Sequence, residues 1–356
     1  MPKPTVAVIM GGRSSEREVS LVSGSAVARA IDRSRYDVML VHVRQDGAWE
    51  RIEMLYDHSH LAGTYGNAMD PARHRYHAHS DLSGLWEILS AMDMAFPLLH
   101  GPFGEDGTVH GFLETAGVPY VGGGVLFNSV CMHKPILKAL LLHHGIPTPA
   151  FETVHAKDWA ADSEHEAGAA LEKLGLPVFV KPAALGSSIG ITRVDDADGL
   201  FASVELALRY GPTVIIEKAV NGAREIECAV MGNDDPRAAG TLGEIVPRNR
   251  FYDYESKYVL DSQLFVPARD LSANMVRTIR EMAVAAYRVA DGAGYARVDF
   301  LMSGAEVMVN EINTIPGFTE ISMFPRLFMA EGMTFSQIVD SLISYAWERF
   351  RRAASA

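Results

Sequence analysis

Over the first third of the chain, short β-branched runs alternate with helix-patterned segments: Thr5 to Met10, a helix through about Ala30, Tyr36 to Val43, and later Asp93 to Leu98. Strands spaced by helices in this way imply parallel βαβ units and an α/β fold class. Between them, residues 44–90 lack sustained periodicity and hold five of the thirteen histidines, His58, His60, His74, His77 and His79. No carboxylate or thiolate accompanies these at the spacing of a zinc site, so the segment reads as a surface excursion rather than a metal centre.

Further along, the Gly-Gly-Gly turn at 122–124 runs into a helix expected from Ser129 to about His144, ended by Gly145 before Pro147-Thr148-Pro149. Strands at Pro177 to Pro182, Ile191 to Val194 and Thr213 to Lys218, with a helix ending near Tyr210, form a small second unit. From Asn221 strands predominate until a long helix near Ala273 to Asp291, a hairpin from Ala296 to Asn313, and a terminal helix from about Phe335. A chain of 356 residues, at about 150 per domain, holds two to three domains. The pattern divides it into three, 1–128, 129–220 and 221–356, with no internal repeat.

The net charge of −12 repels phosphodiester backbones, so no nucleic-acid partner is expected. Cys131 and Cys228 have no partner at CxxC spacing and read as buried core thiols of a reducing compartment. The apolar run Val6 to Met10 is too short for a signal peptide, and no stretch approaches the roughly 18 residues of a membrane span. A cytoplasmic protein with no membrane partner is expected.

No Gly-Lys pair and no GxGxxG occur, which removes a Walker A loop and a Rossmann fingerprint. Lys181-Pro-Ala-Ala-Leu-Gly-Ser-Ser-Ile-Gly190 instead places a lysine at a strand end before a loop of small residues. Such a loop lets backbone N–H groups approach a phosphate, with Ser187 and Ser188 as hydroxyl donors, although an ordinary hairpin turn explains it as well.

The strongest constellation is the hairpin Arg297-Val-Asp299-Phe-Leu-Met with Val307-Met-Val-Asn-Glu311-Ile-Asn313. Strand periodicity puts Arg297 with Asp299 and Glu311 with Asn313, and a turn at Ser303 to Glu306 brings Asp299 within about one residue of Glu311. One face then carries Asp, Glu, Asn and Arg amid Val, Ile, Phe and Met. These oxygen ligands suit magnesium shared with phosphate oxygens. The chain then turns through Gly317 into a helix at Ser322, where backbone donors and a hydroxyl can meet a substrate carboxylate. Near the N-terminus, Ser15 and Glu18 have capping-box spacing, and Glu16 fits a first-turn acid that complements the helix dipole.

At these residues the chain resembles the D-alanine–D-alanine ligases of the ATP-grasp superfamily. The resemblance rests on Gly11-Gly-Arg-Ser-Ser-Glu-Arg-Glu-Val-Ser-Leu21, Leu99-His-Gly-Pro-Phe-Gly-Glu-Asp-Gly107, Lys181 to Gly190, Phe251-Tyr-Asp-Tyr-Glu-Ser-Lys-Tyr258, Arg297-Val-Asp-Phe300 and Asn310-Glu-Ile-Asn-Thr-Ile-Pro-Gly-Phe-Thr319. It implies a three-domain ATP-grasp ligase, with an N-terminal parallel-sheet, substrate-binding domain and two α+β domains clasping ATP. It implies that Lys134 and Lys181 bind phosphates, with Ser187 and Ser188 in the same loop, that Glu217, Lys218 and Val220 hold adenine, and that Glu225 takes the ribose. Lys257 resembles a lysine that reaches the γ-phosphate. Asp299, Glu311 and Asn313 resemble ligands of two Mg2+ or Mn2+ ions. Arg297 and Gly317 resemble the groups that stabilise the transferring phosphoryl group and the oxyanion.

Glu16 corresponds to the residue that binds the ammonium of a first D-alanine, His100 lines that subsite, and Ser322 corresponds to one that binds the carboxylate of a second. Glu16, Ser187 and Tyr258 resemble a hydrogen-bonded triad, and Tyr258 marks members that take D-alanine rather than D-lactate second. Ala183 to Gly190 and Phe251 to Tyr258 are the expected lids. His133 stands where Asp is common, Asn221 to Glu225 runs a residue longer than usual, and Glu320 is expected to point outward. The resemblance further implies a homodimer. A different ATP-grasp ligase would share the hairpin without needing Glu16, Tyr258 and Ser322 together. A nucleotide-binding regulator would bind ATP without amino-acid-dependent phosphate release.

Overall fold

The computed structural model describes residues 2–55, 83–186, 188–246 and 263–353. The five histidines of the 44–90 region, Ser187, Lys257, Tyr258 and the Phe251 to Tyr258 lid lie outside the described residues. Among the described residues three sheets, successive along the chain, carry the fold.

In the first, strands β1 (Thr5–Gly11), β2 (Asp37–Val43), β3 (Trp49–Ile52) and β4 (Met94–Pro97) lie in the order β3-β2-β1-β4. β1 pairs in parallel with β2 and β4, as the strand–helix rhythm predicts, and β3 adds an antiparallel edge. Every residue from Val6 to Met10 is fully buried because helices cover both faces of β1. Helices α1 (Arg17–Ala30), α2 (Ser83–Ser90) and α3 (Thr108–Thr115) belong to this unit. The expected capping box does not form: α1 is capped at Glu16, one residue later than the spacing implies, and Glu18 pairs with Arg17 at 2.5 Å.

The helix expected as one piece over 129–144 is two, α4 (Val125–Met132) and α5 (Lys134–His143), bent by 101° at His133. Pro135 cannot donate to the carbonyl four residues back, and its ring crowds that carbonyl, so a continuous helix is broken there. Among the described residues no single helix is long and apolar enough to cross a membrane.

The second sheet is antiparallel throughout, order β5-β8-β6-β7, from β5 (Phe151–His155), β6 (Val178–Pro182), β7 (Thr192–Val194) and β8 (Thr213–Lys218). Helices α6 (Ala156–Ala161), α7 (Ser163–Leu174) and α8 (Asp198–Leu208) accompany it, and Ala167, Ala170, Leu200 and Val204 fill its core. The Asp162 side chain accepts from the His165 amide and starts α7.

The third sheet runs β12-β11-β9-β13-β14, with β10 also on β9: β9 (Arg224–Met231), β10 (Arg237–Ala238), β11 (Gly243–Val246), β12 (Gln263–Phe265), β13 (Tyr295–Ser303) and β14 (Glu306–Asn313). Helix α9 (Ala273–Val289) buries Ile279, Ala283 and Tyr287 against it, in one core with Phe127, Leu137 and Leu141 of α4 and α5. Helices α10 (Met323–Met329) and α11 (Phe335–Ala353) return to the first sheet, where Phe324, Phe328, Ile338 and Leu342 pack with Val6, Val8 and Leu21. Cys131 and Cys228 are free, buried core thiols, as expected.

Candidate active site

A cleft of about 280 Å³ opens between the second and third sheets. One wall is Phe179 and Lys181 of β6, Glu217 and Lys218 of β8, and Leu185, Gly186 and Ser188 of the small-residue loop. The other is Glu225 and Glu227 of β9, Arg297 and Asp299 of β13, and Glu311 of β14. Lys134, Val220, Gly222 and Ala223 also line it.

On the first wall, Lys181 sits where β6 alternates buried and half-buried residues, so its side chain faces the cleft while Val178 and Val180 face the core. Its Nζ lies 2.7 Å from Glu217 Oε1, and Lys138 Nζ lies 2.7 Å from Glu217 Oε2. Lys138 and Glu217 are each only 1% exposed. Lys138 Nζ also donates to Thr148 Oγ1 (2.7 Å), which in turn donates to the Val309 carbonyl (2.8 Å). Burial by itself raises the Glu217 carboxyl, but Lys138 and then Lys181 overcome it and hold it at about 2. Burial pulls the Lys138 ammonium down against the attraction of Glu217. Two lysines on one carboxylate leave an excess positive charge on the cleft wall, the sign that suits a phosphate.

Lys134 is buried at the start of α5, where Nζ donates to the Leu185 carbonyl (2.6 Å) and its amide to the Ala183 carbonyl (2.9 Å), tying the small-residue loop to α5. In that loop Ser188 takes the left-handed conformation, φ 56°. Lys218 Nζ donates to the Leu176 carbonyl at 3.0 Å.

On the second wall, register sets the site. Asp299 is directly opposite Glu311 on one side and Glu227 on the other, and Arg297 is opposite Asn313. A bulge between Asp299 and Phe300 makes this possible: Phe300 pairs with Val309, leaving Asn310 as the extra residue. Before the bulge the odd-numbered Val307 and Val309 are buried; after it Ile312 is buried, and Glu311 and Asn313 turn to the cleft side. The expectation of acids set amid Val, Ile, Phe and Met on one face is therefore corrected. Val298, Phe300, Met302, Val309 and Ile312 lie in the core on the opposite face.

Arg297 donates to both Asp299 oxygens at 2.7 Å and lies 3.2 Å from Glu227 Oε2. Asn313 Nδ2 donates to Asp299 Oδ2 at 2.8 Å, which orients its amide oxygen away from that carboxylate. Asp299, with Glu227 and Glu311 opposite it on the neighbouring strands and the Asn313 amide beside it, makes a hard, oxygen-rich donor set of the kind magnesium takes, so these residues fit a divalent cation.

At the end of the cleft near the first sheet, Glu16 is 9% exposed, and a Cβ at Gly101 or Gly186 would come within 2.9 or 3.4 Å of its Oε2. Gly101, at φ +73°, is a place where a side chain would be strained and would collide with that carboxylate. His100 is buried, which lowers its pKa, and its Nδ1 lies 2.9 Å from the Ile315 carbonyl. Ser322 caps α10, and its Oγ accepts from the Thr319 amide at 3.0 Å. A Cβ on Gly317 would lie 3.3 Å from that Oγ, so the two are neighbours. Glu320 is exposed, as expected.

Three lining or supporting residues escape the sequence reading: Lys138, Glu227 and Phe179. Each had a signal. Lys138 is four residues after Lys134 in an otherwise apolar helix, Glu227 is two after Glu225 in a strand, and Phe179 is two before Lys181.

Residues 5–123 match the family model described as D-ala D-ala ligase N-terminus, and residues 140–344 match D-ala D-ala ligase C-terminus. The D-alanine--D-alanine ligase of Natranaerobius thermophilus is 39% identical over 363 residues, 98% of this chain and 96% of its own length. That of Heliobacterium modesticaldum is 41% identical over 362 residues, 99% and 96%. Among solved structures, the VanG D-Ala:D-Ser ligase from Enterococcus faecalis superposes with TM-score 0.79 at 32% identity, over 97% of this chain and all of the other. The Coxiella burnetii D-alanine-D-alanine ligase gives 0.78 at 29%, over 99% and 98%. The Bacillus anthracis enzyme complexed with ATP gives 0.74 at 26%, over 98% and 99%.

Proposed function

Because the chain belongs to the D-alanine–D-alanine ligase family, we propose that the cleft between its second and third sheets is where ATP and two D-alanines meet. The chain has the ATP-grasp fold and catalyses the ATP-dependent joining of two D-alanines for peptidoglycan synthesis. The observation that carries the site reading is the register that sets Asp299 between Glu227 and Glu311, across one cleft from the Lys181–Glu217–Lys138 cluster.

An amine does not displace oxide from a carboxylate, so the carboxylate must first acquire a leaving group. The carboxylate of the first D-alanine attacks the γ-phosphate in line, giving an acyl phosphate and ADP. Lys134, Lys181 and Ser188, together with Ser187 and Lys257, hold the phosphates. Glu217, Lys218 and Val220 hold the base and Glu225 the ribose; the Glu217 carboxylate is engaged by two lysines, so its share falls to its backbone. Asp299, Glu311 and Asn313 would hold two Mg2+ or Mn2+ ions, which when bound neutralise phosphate charge. Glu16 receives the ammonium of the first D-alanine beside His100, and Ser322 the carboxylate of the second. The second amine then attacks the acyl carbonyl, phosphate leaves, and Arg297 with the Gly317 amide stabilises the oxyanion. Tyr258 selects an amine over a hydroxyl as second nucleophile. The enzyme acts in the cytoplasm as a homodimer.

A coupled ADP assay tests this with D-alanine, L-alanine, and mixtures of D-alanine with D-lactate or D-serine. ADP release that requires D-alanine, fails with L-alanine and yields the dipeptide is the expected result. Release indifferent to D-alanine would overturn the reading.

A further inference from the structure

Thr148 has no part in the chemistry above, yet its hydroxyl joins the two walls of the cleft from behind. Thr148 Oγ1 accepts from Lys138 Nζ at 2.7 Å and donates to the Val309 carbonyl at 2.8 Å. On one side, Lys138 holds Oε2 of Glu217, whose Oε1 holds Lys181. On the other, Val309 is the last β14 residue in register before the extra Asn310, and Glu311 follows opposite Asp299. A continuous line of ion pairs and hydrogen bonds thus runs from Lys181 through Glu217, Lys138 and Thr148 to the backbone two residues before Glu311.

The direction of each bond along the hydroxyl is forced. An ammonium only donates, so Thr148 Oγ1 accepts from Lys138, and its one hydrogen goes to Val309. The Val309 amide donates to the Pro147 carbonyl at 2.8 Å, so the 147–148 linker holds both backbone groups of Val309. Pro147 and Pro149 flank Thr148. Each ring fixes its own φ, and a residue before proline is confined to extended conformations, so the linker is stiff. A stiff anchor at Val309 fixes where the bulge begins. One residue of slip there would exchange the faces of Glu311 and Ile312. Thr148, Lys138 and Val309 are all buried, so loss of the hydroxyl leaves an ammonium and a carbonyl in the interior each short of a partner.

We propose that Thr148 is a positioning residue: held by Lys138, it fixes Val309 beside the β14 bulge and so sets where Glu311 stands relative to Lys181 across the cleft. This rests on the ligase reading, which assigns Lys181 to phosphate and Glu311 to the cation. It adds that the spacing between the two is set from outside the cleft, by a linker that contacts neither ligand.

The experiment compares full-length wild type, Thr148→Val and Thr148→Ser. Each is measured in D-alanine-dependent ADP release, in calorimetric binding of ATP at graded magnesium without D-alanine, and in thermal unfolding. Valine keeps the shape of threonine and removes the hydroxyl, whereas serine keeps the hydroxyl. Thr148→Val should lower kcat about tenfold and raise the magnesium needed for half-maximal ATP binding about fivefold, with KM for D-alanine within about twofold of wild type; the magnesium shift is somewhat below the tenfold at which loss of a ligand's direct partner begins. Thr148→Ser should stay within about twofold of wild type in both. A wild-type magnesium requirement in Thr148→Val, a loss confined to stability, or Thr148→Ser no better than valine overturns the proposal. If Thr148→Val does not fold, Thr148→Ala is read in its place, and a wild-type magnesium requirement there overturns it equally. Wild type without D-alanine-dependent release would sink the ligase reading itself, an outcome separate from all of these.

Discussion

Around Glu217 two lysines close on one carboxylate inside the protein, whereas around Arg297 two carboxylates, Glu227 and Asp299, meet one guanidinium at the cleft wall. Lys138 and Glu217 are 1% exposed, while Arg297 and Asp299 are each 14% exposed. The first cluster is held within the protein: both Glu217 oxygens are engaged by lysines, and Lys138 gives a further donor to Thr148. The second carries more negative charge than its own arginine balances, and it can be reached from the cleft. The difference separates two duties. The buried cluster holds Lys181 in place; the ribbon, on the function proposed above, is the part that meets the reaction.

The largest effect that can break this division is Glu311→Gln, which should cut kcat at least about a thousandfold, roughly 4 kcal/mol, while leaving the unfolding midpoint nearly unchanged. A wild-type rate in that variant would remove Glu311 from the metal set. Lys138→Met does the reverse. It leaves Glu217 buried with half its compensation, and urea unfolding should show a loss of about 3–5 kcal/mol. An unchanged stability would mean that the buried cluster carries no structural load.

The same contrast can be sharpened with pH. Glu217 is held at about 2, below its ordinary 4.5, so its ionisation stabilises the fold fully above pH 4.5 and that stability is lost as pH falls through about 2. At 1.36 kcal/mol per unit this amounts to about 3 kcal/mol, and unfolding of Glu217→Gln across that window should be flatter than wild type by this amount. Equal slopes would show that the two lysines do not hold the carboxylate down. The smallest effect is expected of Asn313→Ala. It should raise the magnesium needed for half-maximal ATP binding about tenfold, measured by calorimetry without D-alanine, because the residue contributes one amide beside Asp299.

Much of this was legible from local pattern. β1, β2, α1, the start of α11 and the hairpin limbs follow from strand and helix periods, and the turn length brings Asp299 within about one residue of Glu311, the bulge supplying the last residue of register. The pairing of Lys138 with Glu217 was less accessible, since 79 positions separate them and nothing local says that an α5 lysine turns inward. Pro135 signalled the break in the helix, but only packing shows that both halves join the core of the third sheet.

By itself the sequence determined which residues have the chemistry for the site and which strands carry them, because strand and helix periods are short-range and written in neighbouring side chains. What it could not determine is parity after the bulge. Val307, Val309, Glu311 and Asn313 are all odd-numbered, and strict alternation would send them to one face. Only the register of β14 on β13, enforced by burying Val309 on one side of Asn310 and Ile312 on the other, turns the acids out to the cleft. The hydrogen bonds of Ser23 and His100 to the Ile315–Phe318 turn are of the same kind: they join residues more than two hundred positions apart, and no period in a chain reaches that far.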